Sequence, residues 1–158
     1  MTQILIADGS EIVRKLLKLL IGSHPGWSVC AEAVDGEEAV RKSPELKPDV
    51  VILDLAMGGM NGLFAAREIS QILPSVPILL HTVNNIPAVV AEAKKYGIRR
   101  VIGKGQDGTF LIEAIEEELD ARPQVVAALL EETAPKTKGT GEPEAAGNGG
   151  NNGTSKPN

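Results

Sequence analysis

The chain has 158 residues, 42% hydrophobic, 23% charged and 3% aromatic, a size and composition that fit one globular domain with a modest core and exclude a large multidomain enzyme. With 16 Lys+Arg against 21 Asp+Glu the net charge is -5, which argues against a domain built mainly to hold the nucleic-acid phosphate backbone. The single Cys30 cannot close an internal disulfide, the start Met-Thr-Gln-Ile-Leu-Ile lacks the basic stretch of a secretory signal, and the nearly uncharged run Pro74 to Ala91 is too polar and proline-rich for a membrane helix, so a soluble, cytoplasmic protein is expected.

In chain order, Ile4-Leu5-Ile6-Ala7 predicts a first strand, and Ile12 to Leu20, with apolar residues at helical spacing, a first helix. Val29 to Val34 predicts the second strand and Gly36 to Lys42 a short helix. Val50-Val51-Ile52-Leu53, introduced by the Pro48-Asp49 turn, is an uninterrupted third strand, followed by a helix from Leu63 to Leu73 that stops before Pro74. Ile78-Leu79-Leu80 gives a fourth strand, Ala88 to Tyr96 a helix ended by Gly97, Val101-Ile102 a short fifth strand, and Phe110 to Ala121 a last helix stopped before Pro123. Pro123 to Glu132, with Val125, Val126, Leu129 and Leu130, reads as one further short amphipathic helix that either extends the domain or docks a partner.

From Ala134 to Asn158 there is no Val, Ile, Leu, Met, Phe, Trp, Tyr or Cys, so the segment cannot bury enough apolar surface to offset its ordering entropy, and disorder is expected. The expected organisation is a domain over 1–122, a short helix over 123–133 and a low-complexity tail over 134–158. In the tail Lys136, Lys138 and Lys156 outnumber Glu142 and Glu144, which leaves the acidity with the domain.

Strands apolar on both faces and separated by helices imply an α/β architecture: a doubly wound, five-stranded parallel sheet with helices on both faces, flavodoxin-like in organisation. In such sheets ligands sit outside the carboxyl ends of the strands. Those positions hold Asp8, Asp54, Thr82 and Lys104. Two converging carboxylates repel unless a cation or proton intervenes, and oxygen donors without Cys or His favour a hard ion such as Mg²⁺. A lysine and a hydroxyl beside that ion suit a transferred phosphoryl group, with one Asp as the attacking oxygen. Taken singly, each of the four is equally well a strand-end polar residue or helix cap.

These residues resemble the receiver domain of two-component response regulators, over roughly Thr2 to Ala121. The strongest segment runs from Val50 to Leu63 and looks like the family's phosphoacceptor loop. Ile4 to Asp8, Asp35-Gly36-Glu37-Glu38-Ala39, Pro77 to Thr82 and Lys104 after Ile102-Gly103 stand around it in the same order as in the family. The body looks most like the receivers of helix-turn-helix transcription factors. The resemblance implies that Asp54 accepts a phosphoryl group from a histidine kinase or phosphotransfer protein. It further implies that Asp8, Asp54 and the Ala56 backbone carbonyl hold Mg²⁺, and that Thr82 and Lys104 contact the phosphoryl oxygens. Such a protein is a phosphoacceptor, at most catalysing its own phosphorylation and dephosphorylation, and its output is an altered face for a downstream protein partner or for homodimerisation on phosphorylation.

Three positions depart from the family pattern. Gly9 stands where a second acid is usual, which removes a metal ligand; Glu11 either supplies an oxygen through water or is a favourable first-turn charge on the following helix. Gly58 replaces the usual loop proline, so Gly58-Gly59 is expected to loosen the loop. Val101 replaces the usual Tyr or Phe, so a signal from Thr82 must travel by backbone or loop shifts. Gly9 and Val101 support a second reading, a degenerate receiver that binds proteins independently of phosphorylation. After the body no helix-turn-helix pattern is visible, and direct DNA binding is not expected. His81, His24 and Cys30 are assigned no role, Trp27 and Phe64 are expected to pack, and Arg99-Arg100 to be a solvated pair.

Overall fold

Each expected strand forms, and all of them pair in parallel. In the computed structural model, which describes residues 1–135 and Gly153, β1 (Thr2–Ala7), β2 (Trp27–Ala33), β3 (Val50–Leu53), β4 (Ile78–Thr82) and β5 (Arg100–Gly103) make one five-stranded sheet in the order β2-β1-β3-β4-β5. From Ile4 to Ala7 of β1 and Val50 to Leu53 of β3, the paired stretches of the central strands carry only buried aliphatic side chains, in the register Ile4↔Val50 to Ala7↔Leu53. The expected disorder of the tail lies outside the described residues from position 136 on, Gly153 excepted.

Five helices close both faces: α1 (Glu11–Gly22), α2 (Gly36–Leu46), α3 (Gly62–Ile72), α4 (Pro87–Lys95) and α5 (Gly108–Thr133). Alternation along each strand sorts the side chains into two cores. Leu5, Ala7, Val51, Leu53, Ile78 and Leu80 pack with Ala65, Ala66 and Ile69 of α3, Ala39 of α2 and Ala93 of α4. Ile4, Ile6, Val50, Ile52, Leu79 and Ile102 pack on the opposite face with Leu17 and Ile21 of α1 and Leu111, Ala114 and Ile115 of α5. This is the doubly wound sheet expected from the sequence.

Helix starts follow their caps. Ser10, Asp35, Asn61 and Asp107 each accept a hydrogen bond from a first-turn backbone N–H, so four helices begin at the edge where the strands end. The ends of two helices differ from expectation. α2 runs four residues past Lys42 to Leu46, through Pro44, because a proline in a final turn removes one hydrogen bond only, and Ser43 Oγ donates to the Ala39 carbonyl beside it. α5 does not stop before Pro123. It continues unbroken to Thr133, so the segment 123–133 is the end of α5 and not a separate helix. Pro123 gives up one backbone bond, whereas the flanking sequence, rich in Leu, Ala and Glu, favours propagation. Arg122 also fixes the helix just before the proline, through a 2.6 Å contact with Asp49 at the start of β3.

Phe64 is not a core residue. It is 43% exposed, with its ring edge against Tyr96 and the Arg67 guanidinium over its face. Arg99 and Arg100 are not simply solvated either: both reach the buried Glu118 of α5, at 3.5 and 3.0 Å, and Arg100 also pairs with Glu117. Trp27 packs as expected, half-buried against the α1/α5 core and stacked on His24, which in turn meets Glu116 at 3.0 Å. Among the described residues no helix is long and apolar enough to cross a membrane.

Candidate phosphoacceptor site

Parallel pairing carries the site residues to one edge and locks their backbones there. Asp8 N–H donates to the Ala33 carbonyl, Asp54 N–H to Ala7, and Lys104 N–H to Thr82, so each residue is tied to the last residue of the neighbouring strand. Asp8, Asp54 and Thr82 are nearly inaccessible, at 2%, 6% and 1% exposure. Lys104 reaches across them, with Nζ 2.7 Å from Asp8 Oδ2 and 3.2 Å from Asp54 Oδ2. One ammonium therefore faces two carboxylates.

The acceptors are otherwise thinly served. Asp8 Oδ1 accepts from the Ser10 N–H at 2.8 Å, but no aligned hydrogen-bond donor among the described residues reaches Asp8 Oδ2; the Lys104 contact is close in distance and off the hydrogen-bond direction. Burial first, and then the Asp8 charge, push the Asp54 carboxyl above the usual carboxylate range, against smaller pulls from Lys104 and the Ala56 N–H. A buried, electron-rich pair with one free lone-pair direction suits a hard divalent cation. The buried Asp8 and Asp54 carboxylates, with Asp8 Oδ2 lacking an aligned donor among the described residues, fit Mg²⁺.

The loop after β3 is held from outside the strand. Gly62 opens α3 so close to the chain that a Cβ there would stand 2.1 Å from the Asp54 carbonyl oxygen, and a Cβ on Gly36 would stand 2.4 Å from the Met60 carbonyl oxygen. Only glycine permits either approach. Gly62 N–H also donates to Leu55 O at 3.0 Å, closing the loop that carries Ala56. Sequence reasoning quoted both glycines inside motifs without seeing this role, which depends on contacts across the fold.

A protein-family model described as the response regulator receiver domain matches residues 4–116, which span every site residue. The chain belongs to that family. The CheY chemotaxis protein of Thermotoga maritima is 37% identical over 115 residues, covering 73% of this chain and 95% of the relative. The transcriptional regulatory protein LnrK of Bacillus subtilis is 34% identical over 115 residues, 73% of this chain but only 52% of the relative, so this chain matches about half of that regulator. Among solved structures, a LuxR-family two-component response regulator from Aurantimonas superposes with a TM-score of 0.73 at 34% identity, covering 84% of this chain and 98% of that one. Receivers of this family act in two-component phosphorelay signalling, and the family generally binds Mg²⁺.

Within this receiver the predicted residues divide. Asp8, Asp54 and Lys104 come together, with Thr82 ending β4 beside them; its hydroxyl accepts from the Asn84 N–H at 3.2 Å. Glu11 does not join them. It heads α1, 68% exposed, and pairs with Lys15 at 2.8 Å, the first-turn arrangement that was its other reading. Among the described residues no three Asp, Glu, His or Cys side chains gather at one point, as Gly9 leaves two carboxylates. Val101 sits half-buried against the α2–α4 core, with no aromatic ring to turn. One neighbour had no signal in the sequence: His81 of β4 is held below its ordinary pKa by burial and by Lys104, and its Nδ1 is buried without a partner among the described residues.

Proposed function

We propose that this receiver accepts a phosphoryl group on Asp54 from a phosphohistidine donor, a histidine kinase or phosphotransfer protein, and answers by altering a protein-binding face. The observation that carries this reading is the single ammonium of Lys104 held between two buried carboxylates at the open edge of the sheet. In the reaction an Asp54 carboxylate oxygen forms the new bond to phosphorus while the bond from phosphorus to the donor imidazole nitrogen breaks, and the imidazole leaves with the bonding pair. Asp54 needs no general base, because the ionised form is already the nucleophile. Asp8, Asp54 and the Ala56 carbonyl would hold Mg²⁺, which when bound supplies positive charge for the transferred oxygens. Lys104 stands ready to exchange its Asp54 contact for a phosphoryl oxygen. Exposed Ile12 and Leu16 on α1 give a donor protein an apolar landing surface beginning at the same edge.

Once phosphorylated, Asp54 presents new charge and acceptor oxygens that draw the Thr82 hydroxyl from Asn84 and bias the loop that follows. That loop already exposes Val83 and Ile86. With Val101 in place of an aromatic residue, the response is a loop and backbone shift.

Intact-mass measurement after incubation with acetyl phosphate tests the proposal. Wild-type protein with Mg²⁺ should gain one phosphoryl group, roughly 80 Da, and Asp54→Ala should gain none. If neither acetyl phosphate nor a panel of phosphohistidine donors modifies the wild type, the second reading stands: a phosphorylation-independent binding module, which Gly9 in place of an acid and Val101 in place of an aromatic residue favour.

A further inference from the structure

Asp8 is held at three of its atoms, and one hold comes from a side chain outside the strand-end residues. Its N–H donates to the Ala33 carbonyl of β2 at 3.1 Å, and its Oδ1 accepts from the Ser10 N–H at 2.8 Å. Its own backbone carbonyl accepts from Arg14 Nη1 of α1 at 2.7 Å. Arg14 is fixed in turn: Nε stands 3.3 Å from Glu32 Oε1 on β2, and the side chain is only 12% exposed. Lys18 Nζ takes the other Glu32 oxygen at 2.9 Å, and Lys42 Nζ donates to the Glu32 backbone carbonyl at 2.6 Å. The planar guanidinium fork of Arg14 therefore ties the peptide that follows Asp8 to the neighbouring strand. The residue across that peptide is Gly9. Its φ is not positive, and a Cβ there would meet nothing closer than the Val34 carbonyl oxygen at 3.8 Å, so neither space nor backbone conformation demands glycine. What glycine adds is freedom to turn, in the loop that decides where Asp8 Oδ2 points. With Oδ1 taken by Ser10, Oδ2 is the oxygen left for Lys104 and for a cation.

We propose that Arg14 is a positioning residue of the phosphoacceptor site: by holding the Asp8 carbonyl it fixes the turn through Gly9 to Ser10 and keeps Asp8 Oδ2 aimed at the cation position. The proposal rests on the reading that Asp8 and Asp54 bind Mg²⁺. Groups that orient metal-binding side chains typically account for about 10–100-fold in metal affinity. The sign of the effect separates this role from that of charge alone. Removing a positive side chain from the neighbourhood of a divalent-cation site relieves repulsion and tightens binding, whereas releasing Asp8 weakens it.

Calorimetric titration of the full, unphosphorylated chain with Mg²⁺ is the test. Arg14→Met, which keeps the apolar stem, should weaken Mg²⁺ binding about tenfold or more with circular dichroism unchanged. Lys18→Met removes an equal charge from the same Glu32, touches nothing at Asp8 and leaves Arg14 its own contact; it should bind Mg²⁺ at least as tightly as the wild type. Modification of Asp54 by acetyl phosphate should be slower for Arg14→Met at limiting Mg²⁺ and return to the wild-type rate at saturating Mg²⁺. Should Arg14→Met not fold, Arg14→Gln, too short to span Asp8 and Glu32 together, takes its place. Binding by the Arg14 variant as tight as that of the wild type, or tighter, overturns the proposal, as does an equal weakening by Lys18→Met. A rate that stays low at saturating Mg²⁺ overturns the claim that Arg14 acts through the metal-binding carboxylate. A wild type that binds no Mg²⁺ overturns the reading of the site itself, and this proposal with it.

Discussion

At Asp54 the requirement of the chemistry and the requirement of the fold oppose each other. Burial and the Asp8 carboxylate raise its pKa in the folded chain, and Lys104 offsets them only in part. A carboxyl whose folded pKa lies above its unfolded value favours folding below the unfolded pKa, and that contribution is lost as pH rises through the folded value. Ionised Asp54 therefore weakens the fold at neutral pH, where the nucleophile is needed. The Asp54→Asn variant should be more stable than the wild type at pH 7 in urea unfolding, with the advantage shrinking as pH falls through the carboxylate range. A variant no more stable than the wild type at pH 7 would show that Lys104 fully compensates. The four strand-end residues were legible because each follows an apolar run. That Lys104 bridges both carboxylates, and that Gly36 presses on the loop beside them, were not, since these contacts join residues from 24 to 96 positions apart in the chain.

Among the elements, α2 shows how much a short polar motif decides. Asp35 accepts from the Glu38 N–H at 2.8 Å, while the Glu38 carboxylate accepts from the Val34 N–H at 2.8 Å, a reciprocal pair that ends β2 and starts the helix. Removing the cap with Asp35→Ala should cost about 1 kcal/mol of stability, read from the fall of the urea midpoint. A loss below a few tenths would mean that packing of Ala39 alone sets the start of the helix. Helix starts were readable to within two residues because caps are local chemistry. Helix ends at Lys42 and before Pro123 differ from the structure: whether a proline stops a helix depends on what holds the turns around it, and at Pro123 part of that hold is the contact of Arg122 with Asp49, 73 residues away in sequence.

On the scale of the whole molecule, one sheet supports two cores, and the same strands feed both. Ile69→Ala on one face and Ile115→Ala on the other should each cost about 2–5 kcal/mol, should add in the double variant because the sites share no contact, and should leave unfolding a single transition. Two separate transitions would show that the faces unfold independently. Arg99 and Arg100 tie the edge strand β5 to buried Glu118, a pairing that sequence reading took for solvated charge.

The sequence by itself determined the order of elements, the doubly wound parallel sheet and the family, because apolar runs, caps and turn residues act over a few positions and a parallel sheet of such units has few ways to close. Only the tertiary structure decided that one lysine serves two carboxylates, that Glu11 faces away from them, that Phe64 stays at the surface and that α5 continues past its proline. Each of these is set by atoms brought together from distant parts of the chain, where distance and burial choose between roles that residue type alone leaves open.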